Sequence, residues 1–192
     1  ATAGALSLSN ATIWLSGGSF ERNLSLGQGG ALLQTTGVTQ VHRVRFLENE
    51  AVSDAGASAI SAGSPSFINC AFIRNRSGGQ GGALRTAVGA KLALRHVTLV
   101  ANYAASSGAA CWSDGSLLVH NSLIWYHGTD SSCLAGSGVR NVFGSNGEAG
   151  CAPLGGTSGN SSVAPLLAWD RIHLAGSPGS LNSAQLSLSS QA

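Results

Sequence analysis

The chain has 192 residues, of which 9% are charged, 43% are hydrophobic and 27 are glycine, and its formal net charge is +2. The high hydrophobic fraction argues against a disordered chain, and the many glycines argue against a helical bundle. The scattered arginines predict no nucleic-acid surface, the absence of a long apolar run predicts no membrane-spanning segment, and no signal peptide is visible at the N-terminus.

A four-residue pattern, Phe-x-x-Asn, recurs along the chain at intervals of about 26 residues. It occurs at Phe20 and Asn23, Phe46 and Asn49, Phe72 and Asn75, in altered form at Leu99 and Asn102 and at Ile124 and His127, and once more, after a shorter interval, as Phe143 and Asn146. Recurrence of residue types at one period is the sequence signature of a stacked repeat.

A second pattern, rich in glycine and alanine, follows each Asn after six or seven residues. Its members are Gly29–Leu32, Gly56–Ala59, Gly81–Leu84 and Gly108–Cys111, and Gly4-Ala5-Leu6 lies 26 residues before Gly30-Ala31-Leu32. The first residues are therefore expected to lie part-way through a repeat, which suggests a longer stack or end-to-end docking with a partner. The glycines are expected at a tight corner where a side chain would clash.

Short β-type runs lie between the two patterns, at Val41–Phe46, Ser66–Phe72, Leu92–Val100 and Leu117–Trp125. They alternate apolar and polar residues and predict an all-β fold, a right-handed parallel β-helix of about 26-residue coils over residues 1–146. Each Phe is expected to stack inside the coil, and each Asn to take a left-handed turn and hydrogen-bond to the Asn above and below. A β-sandwich is the alternative, but it does not explain the period.

The phased Phe-x-x-Asn and Gly-Gly-Ala-Leu motifs resemble the repeats of the polymorphic outer membrane proteins of chlamydiae. The matching residues are Phe20/Asn23, Phe46/Asn49, Phe72/Asn75, Phe143/Asn146, Gly29–Leu32 and Gly81–Leu84, within residues 4–146. The resemblance implies an adhesive or surface-exposed passenger region. Nothing like that family's C-terminal membrane barrel is seen in the sequence.

The last part of the chain, residues 147–192, is predicted to be an irregular C-terminal cap of the same domain. Ala164-Pro165-Leu166-Leu167, His173-Leu174 and Ser177-Pro178 resemble in part the closing segment of many bacterial β-helix surface proteins. The resemblance implies that this segment covers the last coil and shields the open end of the stack.

Four cysteines occur, and none has the Cys-x-x-Cys spacing of a zinc site. Cys133 and Cys151 are predicted to form a disulfide in the Gly/Ser-rich stretch after the regular repeats. Cys70 aligns with Val44 and Val97 and is interpreted as a small buried hydrophobic residue in a strand, with pairing to Cys111 as the alternative. Oxidation of either pair would imply an extracytoplasmic location.

Catalysis needs carboxylates in register or a base beside a cation, and the eight acidic residues show no such cluster. A polar double stripe follows the repeat, with His42, Arg95 and His120 in one column and Arg43, Asn69, His96 and Asn121 in the next. It is interpreted as the solvated side of a sheet, with a glycan-binding face as the alternative. A metal site is unsupported, and no cofactor is predicted.

Three aromatic residues, Trp112, Trp125 and Tyr126, are candidates for sugar stacking or partner contact, or for a cover over the end of the stack. Sequons for N-glycosylation occur at Asn10, Asn23, Asn75 and Asn160. Asn23 and Asn75 belong to the predicted ladder, so Asn10 and Asn160 are the candidate acceptors, in a eukaryotic secretory host only.

These observations favour a non-catalytic structural or adhesive module of an extracellular or cell-surface assembly. The expected partners are other proteins of that assembly or cell-surface glycans, with no nucleic acid. The alternatives on the same scaffold are a carbohydrate-active enzyme, either a polysaccharide lyase or a glycoside hydrolase, and a carbohydrate-binding module.

Overall fold

The computed structural model describes residues 3–125, and beyond them only the backbone of three short strands, Cys133–Leu134, Ser137–Val139 and Val142–Gly144. All regular elements in this part of the chain are β-strands, and every strand pair is parallel. The strands stack as a β-solenoid of about five turns with a spacing of about 26 residues. The predicted parallel β-helix is thereby confirmed. The predicted cap, residues 147–192, lies outside the described residues.

Each turn of the solenoid, called a coil below, contributes one strand to each of up to four parallel sheets. Sheet 1 contains β1 (Leu6–Leu8), β5 (Leu32–Gln34), β9 (Ser58–Ile60), β13 (Leu84–Thr86), β17 (Cys111–Ser113) and β20 (Cys133–Leu134). Sheet 2 contains β2 (Ala11–Ser16), β6 (Gly37–His42), β10 (Ser66–Ile68), β14 (Lys91–Arg95), β18 (Ser116–His120) and β21 (Ser137–Val139). Sheet 3 contains β3 (Ser19–Glu21), β7 (Arg45–Leu47), β11 (Ala71–Ile73), β15 (Thr98–Val100), β19 (Leu123–Trp125) and β22 (Val142–Gly144). Sheet 4 contains β4 (Leu24–Ser25), β8 (Glu50–Ala51), β12 (Arg76–Ser77) and β16 (Tyr103–Ala104).

The core is a column of apolar side chains that runs along the solenoid axis. In sheet 3 the register places Phe20, Phe46, Phe72, Leu99 and Ile124 in one column. The ring centroid of Phe46 lies 5.2 Å from that of Phe20 and 4.6 Å from that of Phe72, and both pairs of rings are stacked. Phe67 of sheet 2 meets Phe46 and Phe72 edge-on. The Phe of the repeat therefore provides aromatic packing between coils as well as buried area.

Each predicted β-run is divided in two by a sharp corner. Residues 41–46, for example, belong to two strands, β6 and β7, that meet at Arg43 and Val44. Arg43, Asn69, His96 and Asn121 occupy this corner in successive coils with φ between 49° and 54°. The left-handed conformation costs a residue with a Cβ about 1–2 kcal/mol, and Asn, Asp and His adopt it more often than other such residues. Arg43 is not of these types, and the interpretation based on alternation ran each strand through the corner.

The Asn residues of the repeat form a continuous hydrogen-bonded ladder inside the corner between sheets 3 and 4. The side-chain amide of Asn75 donates to Oδ1 of Asn102 and to the backbone carbonyl of Phe46, and Asn49 donates in the same way to Asn75 and Phe20. Backbone amides of Asn49 and Asn75 donate to the next Oδ1 as well. The carbonyl oxygens of Phe20 and Phe46 and the amide protons of Asn49 and Asn75 are therefore hydrogen-bonded, as buried polar groups require.

The left-handed turn was expected at the ladder Asn, and this prediction was wrong by one residue. The positive φ belongs to the preceding residue, which is Arg22, Glu48, Arg74 and Ala101 in successive coils. This placement turns the chain just before the Asn and directs the amide into the coil. The ladder Asn is therefore retained for its hydrogen bonds rather than for its tolerance of a left-handed backbone.

The glycine-rich motif lies at the corner between sheets 4 and 1, where the backbones of neighbouring coils leave no room for a Cβ. A Cβ at Gly30 would lie 2.0 Å from the carbonyl oxygen of Gly56, and one at Gly56 would lie 2.2 Å from that of Gly82. The register pairs Leu32 with Ser58, so Gly56 is equivalent to Gly30 and not, as the sequence pattern suggested, to Gly29. Ala55 then holds the left-handed position, with φ of 61°.

Coil length changes at one corner of the described solenoid, the connection from sheet 1 to sheet 2. The register of sheet 1 steps by 26 residues from Ser58 to Leu84, whereas that of sheet 2 steps by 27 from Ser66 to Ala93. In the next coil sheet 1 steps by 27 and sheet 2 by 25. The corners from sheet 2 to 3 and from sheet 3 to 4 keep two residues in each described coil.

Replacing Gly30 by alanine is expected to destabilise the solenoid by about 3 kcal/mol or more, because the new methyl group would lie 2.0 Å from a backbone oxygen that belongs to the next coil and cannot rotate away. Urea unfolding followed by circular dichroism measures the loss. Gly89→Ala is the control, since no atom lies within 4 Å of a Cβ there and the only cost is its positive φ. An equal or larger loss in the control would contradict the role given to close coil contact.

Candidate functional site

The outer surface of sheet 2 is the broadest regular face with exposed polar and aromatic side chains. Buried Val41, Phe67 and Leu94 point inward, and the residues that alternate with them point to solvent. The sheet 2 face is defined by two outer columns and the corner beside them. The first column is Trp14, Gln40, Ser66, Ala93 and Leu118, the second is Ser16, His42, Ile68, Arg95 and His120, and the corner is Arg43, Asn69, His96 and Asn121.

Trp14 is the most prominent side chain of this face and is 65% exposed. Its ring stacks on the imidazole of His42 in the next coil, with centroids 4.8 Å apart and an interplanar angle of 11°. Nε2 of His42 is buried and has no hydrogen-bond partner. The stack holds the indole in one orientation, with the face of the ring that does not contact His42 open to solvent.

Three of the eight lysine and arginine residues in the described part of the chain lie on the strands of sheet 2 or at the corner beside them. Lys91, Arg95 and His96 are exposed, and Arg43 reaches across to the hydroxyl of Ser16, with its guanidinium nitrogen 3.4 Å from Oγ. No carboxylate belongs to the strands of sheet 2 within the described residues. The described strands of sheet 2 accordingly carry a positive formal charge.

Most described carboxylates are engaged by arginines on other sheets and corners. Glu48 accepts hydrogen bonds from Arg22 and Arg74 in the two neighbouring coils. Glu21 pairs with Arg45, while Arg85 contacts Asp54 and Asp114. Within residues 3–125, no group of three or more His, Cys, Asp and Glu side chains is arranged to hold a metal ion. The acids therefore join coils to one another rather than converging on a common point.

Glu48 is expected to make the stability of the solenoid depend on pH. The hydrogen bond from Arg22 is the main cause that lowers the pKa of Glu48 below its ordinary value of 4.5. A lowered folded-state pKa gives stability that is present above the unfolded pKa and is lost as pH falls through the folded pKa. Glu48→Gln should therefore lower the urea midpoint at pH 7. In this variant the midpoint should also fall less as the pH is lowered.

The effect of Glu48→Gln should be smaller than that of any core substitution, since the Arg22 side chain is 78% exposed and solvent screens the pair. Glu50→Gln, at an exposed position two residues later, is the matched control. Equal pH profiles for the two variants would show that the Glu48 pairs do not contribute.

The three aromatic residues selected from the sequence do not form one platform in the described structure. Trp112 lies in sheet 1, half-buried, and its Nε1 donates to a carboxylate oxygen of Asp114 at 2.9 Å. Trp125 ends a strand of sheet 3 and is also half-buried. Tyr126 lies outside the described residues. Among the described residues Trp14, which the sequence interpretation omitted, is the exposed tryptophan, and its alternation with Ile13 and Leu15 in β2 was the available signal.

Cys70 lies at the corner between β10 and β11 rather than in a strand, as had been expected. It is buried in the column of Val44 and Val97, and it is a free thiol, so it is not paired with Cys111. Burial raises the pKa of Cys70 to about 11. A thiol with so high a pKa is unreactive, which supports its interpretation as a small hydrophobic residue.

Two other sequence predictions fall partly or wholly outside the described residues. Cys133 is in register with Cys111 in sheet 1, but Cys151 is not described, so the Cys133–Cys151 disulfide stays a prediction. Among the sequons, Asn10 is exposed with φ of 50°, and Asn160 is not described. Asn75 is fully buried in the ladder, which excludes a glycan on its amide in the folded coil.

Comparisons with protein-family models, with curated proteins and with solved structures gave no match to this chain. The search of the described residues for a helix long and apolar enough to cross a bilayer found none.

Proposed function

We propose that the chain is a non-catalytic structural or adhesive module of an extracellular or cell-surface assembly. The observation that carries the proposal is which polar side chains make contacts between coils and which are exposed to solvent. The Asn ladder and most described carboxylates bind coil to coil, whereas the sheet 2 face leaves the side chains of Trp14, Gln40 and Arg95 exposed to solvent.

The architecture supports this role because the solenoid offers long, flat, rigid surfaces. Main-chain pairing runs through every coil, and the core is continuous along the axis. A partner that binds across several coils meets a surface already ordered, so little conformational entropy is lost on binding.

The finer assignment, to passenger regions like those of the polymorphic outer membrane proteins, belongs to the same proposal. It rests on the Phe-x-x-Asn and Gly-Gly-Ala-Leu motifs. In the described coils these motifs supply the aromatic stack, the Asn ladder and the tight glycine corner. Its proposed partners are other proteins of a surface assembly or cell-surface glycans.

An adhesion assay with the 192-residue chain tests the proposal. Beads coated with the purified chain are incubated with cultured cells and with immobilised matrix glycans and proteins, with albumin-coated beads as control. Saturable attachment above the control is expected. Absence of attachment by folded protein would contradict adhesion. Depolymerisation of any polysaccharide in a parallel turnover screen would overturn the non-catalytic assignment in favour of a carbohydrate-active enzyme.

A further inference from the structure

We propose that the sheet 2 face binds an anionic polysaccharide, with Trp14 as the stacking platform and Arg43 and Arg95 as anchors for its carboxylate or sulfate groups. This inference deepens the proposed adhesive function by naming its ligand class, and it rests on that function for its biological role.

The stacking platform is provided by the geometry of Trp14 and His42. Pyranose rings carry a face of C–H groups that packs against the π-surface of an indole, and Trp14 exposes such a surface while His42 supports the opposite side. The parallel stack restricts the indole before any ligand arrives, which reduces the entropy lost on binding. Gln40, exposed in the next coil of the same column, adds an amide that can exchange hydrogen bonds with sugar hydroxyls.

The sign of the ligand's charge follows from the basic side chains around the platform. Arg43 follows His42 directly at the corner, and exposed Arg95 and His96 hold the equivalent positions two coils further along. Guanidinium groups match carboxylate and sulfate oxygens with two parallel hydrogen bonds. No carboxylate belongs to the described strands of sheet 2 to oppose an anionic ligand.

The arrangement favours a polymer over a small sugar because the side chains are spread along the axis. Adjacent coils are about 4.8 Å apart, so the coil of Arg95 lies about 14 Å from that of Trp14. Ile68, half-buried between His42 and Arg95 in the same column, gives an apolar stretch for the ring of an intermediate sugar. The chain direction of the ligand is therefore parallel to the solenoid axis.

A single-stranded nucleic acid is the competing polyanion, and the face suits it less well. Proteins that bind single strands without sequence preference stack successive bases on several aromatic side chains. Trp14 is the only Phe, Tyr or Trp in the described part of the sheet 2 face, and the other residues of its column are Gln40, Ser66, Ala93 and Leu118. The net charge of +2 is also small for a binder of phosphate backbones.

Titration calorimetry with the 192-residue chain tests the proposal. The probes are a heparin oligosaccharide as the sulfated glycan, an oligogalacturonate as the carboxylated glycan, cellohexaose as the neutral control, and an oligothymidylate as the nucleic acid. At least one anionic glycan is expected to bind more tightly than cellohexaose and oligothymidylate, and its affinity should fall as sodium chloride is raised. Which of the two binds distinguishes sulfate from carboxylate recognition.

Variants of exposed residues then locate the site. Trp14→Ala should weaken binding by about tenfold or more, as loss of a central tryptophan does in other interfaces. The double variant Arg43→Ala with Arg95→Ala should weaken it by about tenfold and reduce the dependence on salt. Trp112→Ala, which removes a tryptophan from sheet 1, is the matched control and should leave the affinity unchanged. Circular dichroism of each variant verifies that the fold is kept.

Three outcomes would overturn the proposal: equal binding of neutral and anionic glycans, tighter binding of oligothymidylate, or full affinity in Trp14→Ala. Absence of binding by every glycan would do so as well. The adhesion assay separates this proposal from the broader one. Cell attachment that survives in Trp14→Ala, while glycan binding is lost, would support the glycan site and assign adhesion to another surface. Glycan binding without any cell attachment would leave the site standing and remove the adhesive role.

Discussion

Replacing Phe46 by alanine is expected to destabilise the solenoid by about 3–5 kcal/mol, the range for a fully buried aromatic residue. Phe46 is 0% exposed, and its ring is stacked on one side by Phe20 and on the other by Phe72, with Phe67 at its edge. Each ring pair contributes about 0.5–1.5 kcal/mol beyond the buried area, so the loss should lie in the upper part of that range. Urea unfolding measured by circular dichroism and by tryptophan fluorescence gives the free energy.

Two further variants decide whether the loss of stability in Phe46→Ala comes from lost ring stacking or from lost side-chain volume. Phe20→Ala should cost less than half as much, because Phe20 is only half-buried and has one stacked neighbour among the described residues. Phe46→Leu should cost more than about 1 kcal/mol but less than the alanine variant, since Leu99 fills the same column two coils away. Equal losses at Phe20 and Phe46 would contradict a core that is stacked along the axis.

Replacing Asn75 by alanine is expected to destabilise the solenoid by about 2–5 kcal/mol, although the side chain is small. Its Oδ1 accepts bonds from the backbone and side-chain amides of Asn49, and its own amide donates to Asn102 and to the carbonyl of Phe46. Alanine leaves the buried backbone N–H of Asn49 unpaired and removes a donor from Phe46. Each buried group left unpaired costs about 1–3 kcal/mol. The free energy of unfolding and the amide exchange rate of Asn49 provide the measurement.

Asn23→Ala is the matched control for the ladder. Asn23 stands at the first rung and is half-buried; its amides donate to Asn49, so its removal leaves no N–H of another rung unpaired. A loss at Asn23 as large as that at Asn75 would mean that the cost reflects the corner backbone rather than the ladder.

The sequence predicted those parts of the fold that depend on a side-chain type repeated in most coils. The stacked Phe column, the Asn ladder and the tight glycine corner each repeat one residue type at one place in several coils, so their period was visible. The corner after sheet 2 was not, because its requirement is a backbone conformation. Arg43 meets that requirement at a cost in strain, and arginine is not a residue type that indicates a left-handed turn.

The residues of the proposed glycan-binding face were only partly found from the sequence, for a related physical reason. Alignment of coils found the basic column that includes His42 and Arg95, since those positions repeat. Trp14 has no aromatic counterpart in the other coils of its column, which contain Gln40, Ser66, Ala93 and Leu118. A side chain that occurs once carries no period, so Trp14 could be found only from its alternation with Ile13 and Leu15 in β2 and from its exposed position on the outer face.

The corner from sheet 1 to sheet 2 has a consequence for how such a molecule can diversify. Coil length varies at this corner, while the corners on either side of sheet 3 keep two residues in each described coil. Segments inserted here would project from the solenoid in a row, one per coil and about 4.8 Å apart, without shifting the register of the core. Loops of varied sequence grafted between Thr86 and Lys91 would thus give the molecule new recognition properties and leave the stacked sheets unchanged.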